Sequence, residues 1–270
     1  MHADVDGVNT RPAPWILVSV LVYAAIVLIA PLVALLVAFF GADPSRSLQA
    51  LFEDEARGAI VNSLLLAVIA VVANGVFGVA AGIVIARHRF FGRAVVDALS
   101  ELPLSISPVM TGLGFILVYG RGGLLAPLLD AVGCKVTFAF PGLVLGTLFV
   151  TVPFTVREVA SVLVELGTSE EQAAQTLGAS SWQTFWLVTL PNLRSALDCG
   201  AMLTMARALG EFGAVLVLGG AIGGHTQTAT TYLYSAVEER DRAAAYGMAL
   251  VLMATTLALF AVLSRRTRKT

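Results

Sequence analysis

Two ionisable residues stand inside a stretch that is otherwise suited to lipid. In Ala206-Arg207-Ala208-Leu209-Gly210-Glu211-Phe212-Gly213 the arginine and the glutamate are four positions apart. A charge at the centre of a membrane helix costs about 2.5–3.5 kcal/mol on the insertion scale, so charges kept there pair with each other or line a water-filled cavity. Their i, i+4 spacing puts both on one helix face, which leaves either arrangement open. The chemistry is electrostatic. Arg207 attracts an oxyanion, and Glu211 moderates that attraction so that a dianion is not held too tightly to pass. The competing reading is an ion pair that only braces helix packing.

A second group, Ser105, Ser107 and Thr111, lies in or just beyond the proline-bounded run Leu102-Pro103-Leu104-Ser105-Ile106-Ser107-Pro108. Hydroxyls and freed backbone amides hold a desolvated oxyanion without a countercharge, which makes these three candidates for a substrate path. Ordinary helix-kink chemistry is the alternative. No set of residues points to bond making or breaking, so no catalytic residue is expected. There is no phosphate-cradling G-x-x-x-x-G-K-[ST] loop, no His/Cys/carboxylate cluster that suggests a metal, and no basic stretch interleaved with aromatics for nucleic acid. Cys134 and Cys199 have no ligand-like spacing and are expected on opposite sides of a membrane, which argues against a disulfide. His88 reads as a solvated loop residue rather than a switch, and His225, in Gly223-Gly224-His225-Thr226-Gln227-Thr228, as part of a plain outer connector, with contact to a partner protein as the alternative.

The elements that position these groups are membrane helices. With 57% hydrophobic and 13% charged residues in 270, the chain is too apolar for a soluble domain, whose charged fraction is about 25%. A bilayer core about 30 Å thick needs about 20 helical residues. Six apolar runs meet that length: residues 15–40, 59–86, 95–119, 136–156, 193–218 and 243–264. The third is interrupted by Pro103 and Pro108, which predicts a kink. In the second, Gly78 and Gly82 predict close helix packing. The first run exceeds a signal-peptide core of roughly 7–15 residues and is expected to remain as a membrane helix. Residues 1–14 read as a polar tail, 15–264 as a single transmembrane domain, and 265–270 as a basic tail.

Six spans place both termini on one side. Of the 17 Lys and Arg, ten then fall in segments assigned to the cytoplasm, six fall outside, and Arg207 lies within a span. Short basic loops prefer the cytoplasm, so this bias orients the chain with both termini inside. It also places residues 168–191, TSEEQAAQTLGASSWQTFWLVTLP, in the cytoplasm. Thr168 with Glu171, and Ser180 with Gln183, match the capping-box pattern for two successive helices. Gly178 between them supplies a residue free to adopt positive φ, and Pro191 is expected to end the unit. Trp182, Phe185, Trp186 and Thr189 fall on one face of the second helix, an aromatic stripe that wants a partner. A hairpin lying in the headgroup layer is the alternative reading.

The spacing Ala173-Ala174-x3-Gly178-x11-Leu190-Pro191 resembles the EAA loop of permease subunits of ATP-binding-cassette (ABC) importers. In that family the loop forms a coupling helix that docks on a cytoplasmic ATPase. The resemblance assigns ATPase coupling to Glu171, Gln172, Ala173, Ala174, Gly178, Ala179, Trp182, Leu190 and Pro191. Gln172 stands where the family usually has glutamate, which removes the charge that a salt bridge from that position would need. The run around Arg207 and Glu211, the 102–109 segment and Phe149-Val150-Thr151-Val152-Pro153-Phe154-Thr155-Val156-Arg157-Glu158 are similar to the sulfate/thiosulfate branch, whose second permease subunit this chain resembles over residues 59–263. Molybdate and tungstate permeases are close relatives, and a permease for molybdate or tungstate is the alternative within the same class.

The resemblance implies an all-α membrane protein of six transmembrane helices with the type I ABC importer (MetI-like) permease fold and cytoplasmic coupling helices. It implies a bacterial inner membrane and a heterodimer with a homologous second permease. Two ATPase subunits, which bind the ATP and Mg, and an extracytoplasmic sulfate-binding protein would complete the importer. A secondary anion transporter working without an ATPase is the alternative from a different class.

Overall fold

The computed structural model describes residues 14–267; the tail expected at 1–14 lies outside them except for Pro14, whereas the first half of the tail expected at 265–270 lies inside them and continues the last helix. The described residues are helical, with no β-strand among them. The helices are α1 (Trp15–Gly41), α2 (Pro44–Ala50), α3 (Asp54–Arg87), α4 (Arg93–Ser105), α5 (Pro108–Tyr119), α6 (Ala126–Val132) and α7 (Phe140–Leu166). They continue as α8 (Ser169–Thr176), α9 (Ser181–Thr184), α10 (Arg194–Leu209), α11 (Gly213–Gly219), α12 (Ala229–Glu238) and α13 (Arg242–Thr267). Four of these, α1, α3, α7 and α13, are long and apolar enough to cross a bilayer unaided. The pairs α4/α5 and α10/α11 bring the spans to as many as six where each pair counts as one broken span.

The breaks are larger than the sequence suggests. Between α4 and α5 the axis turns by 114°, and between α10 and α11 by 56°. Pro103 sits inside α4, but the chain turns at Ile106 and Ser107, both extended, before Pro108 opens α5. A proline disfavours helical backbone in the residue before it and suits the first turn of a helix, so the segment stops and restarts where a simple kink was expected.

The centre is a three-helix contact of α3, α7 and α10. Along α3 the buried residues other than Leu66 and Ile85 are small, with Ala56, Ala59, Ser63, Ala67, Ala70, Asn74, Gly78 and Gly82 recurring near the helical period. A Cβ on Gly78 would lie 2.6 Å from Thr155 Cγ2, and one on Gly82 would lie 2.5 Å from Val159 Cγ1. From the other side Gly200 of α10 approaches the Cα of Thr155, which a Cβ there would meet at 3.1 Å. The packing expected of Gly78 and Gly82 is therefore present, and Thr155 is its pivot. Two polar pairs are matched inside this contact: Asn74 Nδ2 donates to Thr151 Oγ1 at 2.7 Å, and Thr155 and Thr204 hydroxyls meet at 3.2 Å, while the buried Thr147 hydroxyl on α7 has no hydrogen-bond partner.

Segments expected to be loops carry helices. Within 41–58, Asp43 opens α2: its Oδ1 accepts from Ser45 N at 3.1 Å and Arg46 N at 3.2 Å. The Ser45 hydroxyl and these amides hold the Asp43 carboxyl below its ordinary pKa. Pro44 at the first helical position completes that start signal. α6 lies within 120–135 and α12 within 219–242, the latter opened by a Thr228/Thr231 capping box. Cys134 and Cys199 are both free thiols, the former exposed.

Two prolines share one device. Pro31 and Pro191 are each preceded by a π turn, Ala25–Ile29 and Phe185–Thr189, closed by Ala30 N to Ala25 O and Leu190 N to Phe185 O. Widening the turn to i, i+5 draws the helix past a residue that cannot donate and whose ring crowds the preceding turn. Pro191 consequently does not end the unit. Helical backbone runs through Leu190–Asn192 and Leu193 into α10.

Candidate translocation path and coupling surface

Glu211 occupies the break between α10 and α11. Its side chain is 1% exposed, that of Arg207 is 31% exposed, and Arg207 Nη1 lies 2.6 Å from Glu211 Oε2. That contact is an ion pair without hydrogen-bond alignment. The other carboxylate oxygen, Oε1, accepts from Ala214 N at 2.9 Å and so satisfies one of the free amides opening α11. The backbone carbonyl of Glu211 accepts from Thr230 Oγ1 at 2.6 Å, which ties the break to the first turn of α12. Arg207 and Glu211 are therefore paired, as their spacing allows, with the arginine on the accessible side.

The two broken spans meet at their breaks. A Cβ on Gly213 would lie 3.1 Å from both Pro108 Cβ and Val109 Cγ2, and one on Gly112 would lie 2.7 Å from Val217 Cβ. Ser107 thus precedes the turn of α5 that packs against Gly213, two residues after Glu211. Ser105 and Ser107 are exposed on the chain, whereas Thr111 is buried, its hydroxyl donating to the Ser107 carbonyl at 3.3 Å. Irregular backbone at membrane depth is tolerated where protein buries it or a cavity wets it, and discontinuous helices carry binding sites in many transporters. Sequence reasoning missed the threonines that support this crossing. Thr226, Gln227, Thr228 and Thr231 are all buried, and Thr226 Oγ1 donates to the Gly219 carbonyl at 2.6 Å. The signal was the Thr-rich run 226–231, which read as part of a plain connector around His225.

At the opposite end of α10, the 168–192 segment folds as a helical hairpin. Gly178 turns the chain at φ 89°, with nothing within 4 Å of where a Cβ would stand. The Ser180/Gln183 capping box is formed in both directions. The Thr168/Glu171 box is not. Thr168 makes no side-chain cap, and Gln172 Nε2 donates to its hydroxyl at 3.1 Å. Glu171 turns away because stronger partners are in reach: Arg87 Nη2 at 3.3 Å and Thr189 Oγ1 at 2.9 Å both meet its Oε1. Glu170 Oε2 accepts from Asn192 Nδ2 at 2.5 Å and closes the hairpin at its base.

The π turn resets the phase of the aromatic face. Thr189, expected on the same stripe as the tryptophans, is buried against Glu171. Trp182, Phe185 and Trp186 stay together, with ring centroids 5.3–6.2 Å apart. Trp182 is 68% exposed and Trp186 48%, beside Leu187 at 74%, with Leu177 at the hairpin turn 89% exposed. Gln172, Ala173, Gly178 and Pro191 are likewise exposed, while Ala174, Ala179 and Leu190 are half-buried. Such a patch on a polar hairpin marks an interaction surface. Among the described residues no group of three or more His, Cys, Asp or Glu is placed to hold a metal.

Broken spans meeting around a buried charge, with an apolar patch displayed on a hairpin at the far end of the same helix, define a polytopic membrane transport component. The pattern of the binding-protein-dependent transport system inner membrane components matches residues 78–269, and the chain belongs to that family. It is 44% identical over 250 residues to the sulfate transport system permease protein CysW of Synechococcus elongatus, covering 92% of this chain and 87% of that one. Identity to CysW of Escherichia coli is 42% over 213 residues, covering 78% and 73%. Identity to CysT of the same organism is 35% over 239 residues, covering 88% and 86%. In fold it matches a chain of the crystal structure of a bacterial alginate ABC transporter, in complex with an alginate pentasaccharide-bound periplasmic protein. The TM-score is 0.77 at 18% identity, over 95% of this chain and 94% of that one.

Proposed function

We propose that this chain is the CysW-type permease subunit of an ATP-driven sulfate/thiosulfate importer. The observation that carries the reading is its likeness to the CysW proteins over most of both chains. It resembles CysT as well, which supports a heterodimer of two homologous permeases sharing one path. Two ATPase subunits, holding ATP and Mg, and an extracytoplasmic sulfate-binding protein complete the assembly. The chain lies in the bacterial inner membrane with both termini cytoplasmic, in keeping with the distribution of Lys and Arg.

Transport is alternating access, and no bond is made or broken in this subunit. Closure of the ATPase dimer on ATP moves the 168–192 hairpin, which sits on its surface through Leu177, Trp182, Trp186 and Leu187. The movement passes into α10, some 24 Å long at 1.5 Å per residue, and from there to the break at Glu211. ATP drives the change because it binds one arrangement better than the other. At the crossing of the broken spans, exposed Ser105 and Ser107 offer hydroxyls to the anion, and Arg207, partly neutralised by Glu211, draws it without trapping it.

The reading is tested in a bacterium stripped of its own sulfate permeases. Co-expression of this chain with its partner permease, ATPase and binding protein restores radiolabelled sulfate uptake, and omission of the ATPase abolishes it. Uptake that persists without the ATPase contradicts the importer and favours a secondary transporter. Uptake of molybdate but not sulfate reassigns the substrate.

A further inference from the structure

The hairpin is held to the membrane domain by more than its own flanking helices. Arg87 is the last residue of α3, the 34-residue helix at the centre of the bundle, and it reaches sideways to Glu171 on α8. The side chains are 15% and 21% exposed, so the pair is largely shielded from solvent and screened less than a surface ion pair. A single carboxylate oxygen, Glu171 Oε1, receives both the Arg87 guanidinium and the Thr189 hydroxyl. Three elements are thereby joined at one atom: the end of α3, the first helix of the hairpin, and the π turn that leads into α10.

The surroundings of this node are open. A cavity of about 450 Å³ lies beside it, lined by Arg87, His88, Glu171, Gln175, Thr184 and Phe185 among others. Arg87 Nε and Thr184 Oγ1 are buried with no hydrogen-bond partner. Packing therefore does not lock the hairpin against α3 on that side. A point contact of opposite charges next to a void lets two rigid bodies pivot while remaining attached.

Resting on the importer reading above, we propose that Arg87 is a positioning residue for coupling: through Glu171 it latches the hairpin to α3, so that hairpin movement is passed to α3 as well as to α10. The surface that meets the ATPase is the separate patch of Leu177, Trp182, Trp186 and Leu187. Docking and transmission are thus carried by different residues. Loss of the latch leaves the ATPase bound and hydrolysing, but lets the hairpin move without carrying α3.

The test uses the whole complex in proteoliposomes containing ATP, with binding protein and sulfate outside. Sulfate transported per ATP hydrolysed is compared for wild type, Arg87→Gln and Arg87→Lys, alongside the amount of ATPase co-purified. Arg87→Gln is expected to retain the ATPase and its basal hydrolysis while transport per ATP falls roughly tenfold, the scale of a typical inter-site coupling. Arg87→Lys, which keeps the charge, recovers most of it, and so does the exchange Arg87→Glu with Glu171→Arg. Normal transport per ATP in Arg87→Gln overturns the latch. Loss of the ATPase from Arg87→Gln also overturns it, because Arg87 then serves docking or folding. Failure of the wild-type chain to hold any ATPase is a different result and refutes the importer reading itself.

Discussion

Arg207 and Glu211 lie one turn apart where the fifth span breaks, and of the two only the arginine reaches the surface: its Nη1 is 2.6 Å from a carboxylate oxygen whose side chain is 1% exposed. The glutamate performs two tasks there, since its other oxygen accepts the Ala214 amide. Glu211→Gln keeps a side-chain oxygen for that amide and removes the charge. Sulfate transport is expected to fall with a lower KM and a lower maximal rate, as an uncompensated Arg207 holds the anion longer. Glu211→Ala loses both contacts and is expected to destabilise the chain by about 3 kcal/mol, the scale for breaking a buried pair, read as a lower melting temperature of the purified complex. Unchanged kinetics in Glu211→Gln would show that the pair only braces the helices.

The α3–α7 contact is sensitive to single atoms. Gly82→Val puts a branched side chain where a Cβ alone would already lie 2.5 Å from Val159, and overpacking of this kind costs about 1–3 kcal/mol or more. Gly75→Ala, on the same helix with nothing within 4 Å, is expected to leave stability unchanged or slightly raised. Thermal denaturation of the two variants in the same detergent separates the effects. Equal losses would mean that the close approach of α3 to α7 is not what holds the core.

Trp182 and Trp186 are exposed and touch each other, with ring centroids 5.5 Å apart. Truncating the pair to alanine is expected to leave the membrane domain folded, because neither ring is buried in it. The same change weakens ATPase binding by about 2 kcal/mol or more, in keeping with the role of tryptophan in interfaces, or roughly thirtyfold in affinity. Titration of purified ATPase against the permease pair measures this directly.

The six spans, the small-residue face of α3, the hairpin with Gly178 at its turn and the Ser180 cap were all legible in the sequence. Each is written in local spacing, as an apolar run of bilayer length, a helical repeat of small residues, or a cap three positions from its partner. Long-range competition was not legible. Nothing near Thr168 announces that Arg87, 84 positions before Glu171, will take that carboxylate away from the cap. Nor does the spacing of Trp182 and Thr189 show that a π turn before Pro191 will rotate the threonine inward. Pro103 and Pro108 marked where the third span is interrupted, but the 114° turn is decided by the packing of α5 against α11. The Thr-rich run 226–231 looked like a connector because its place depends on carbonyls outside the run, those of Gly219 and Glu211, which local spacing does not announce.

The most direct test of the account is co-purification of partners with the tagged chain from native membranes, wild type against Gly178→Asp. Gly178 has φ 89° and open space around it, so the aspartate strains the turn of the hairpin without colliding with the membrane domain. The account predicts that an ATPase and a second permease accompany the wild type, and that the variant keeps the permease and loses the ATPase. A chain that purifies alone in both cases, or a variant that holds the ATPase as firmly as the wild type, would contradict the assignment of residues 168–191 as the coupling element.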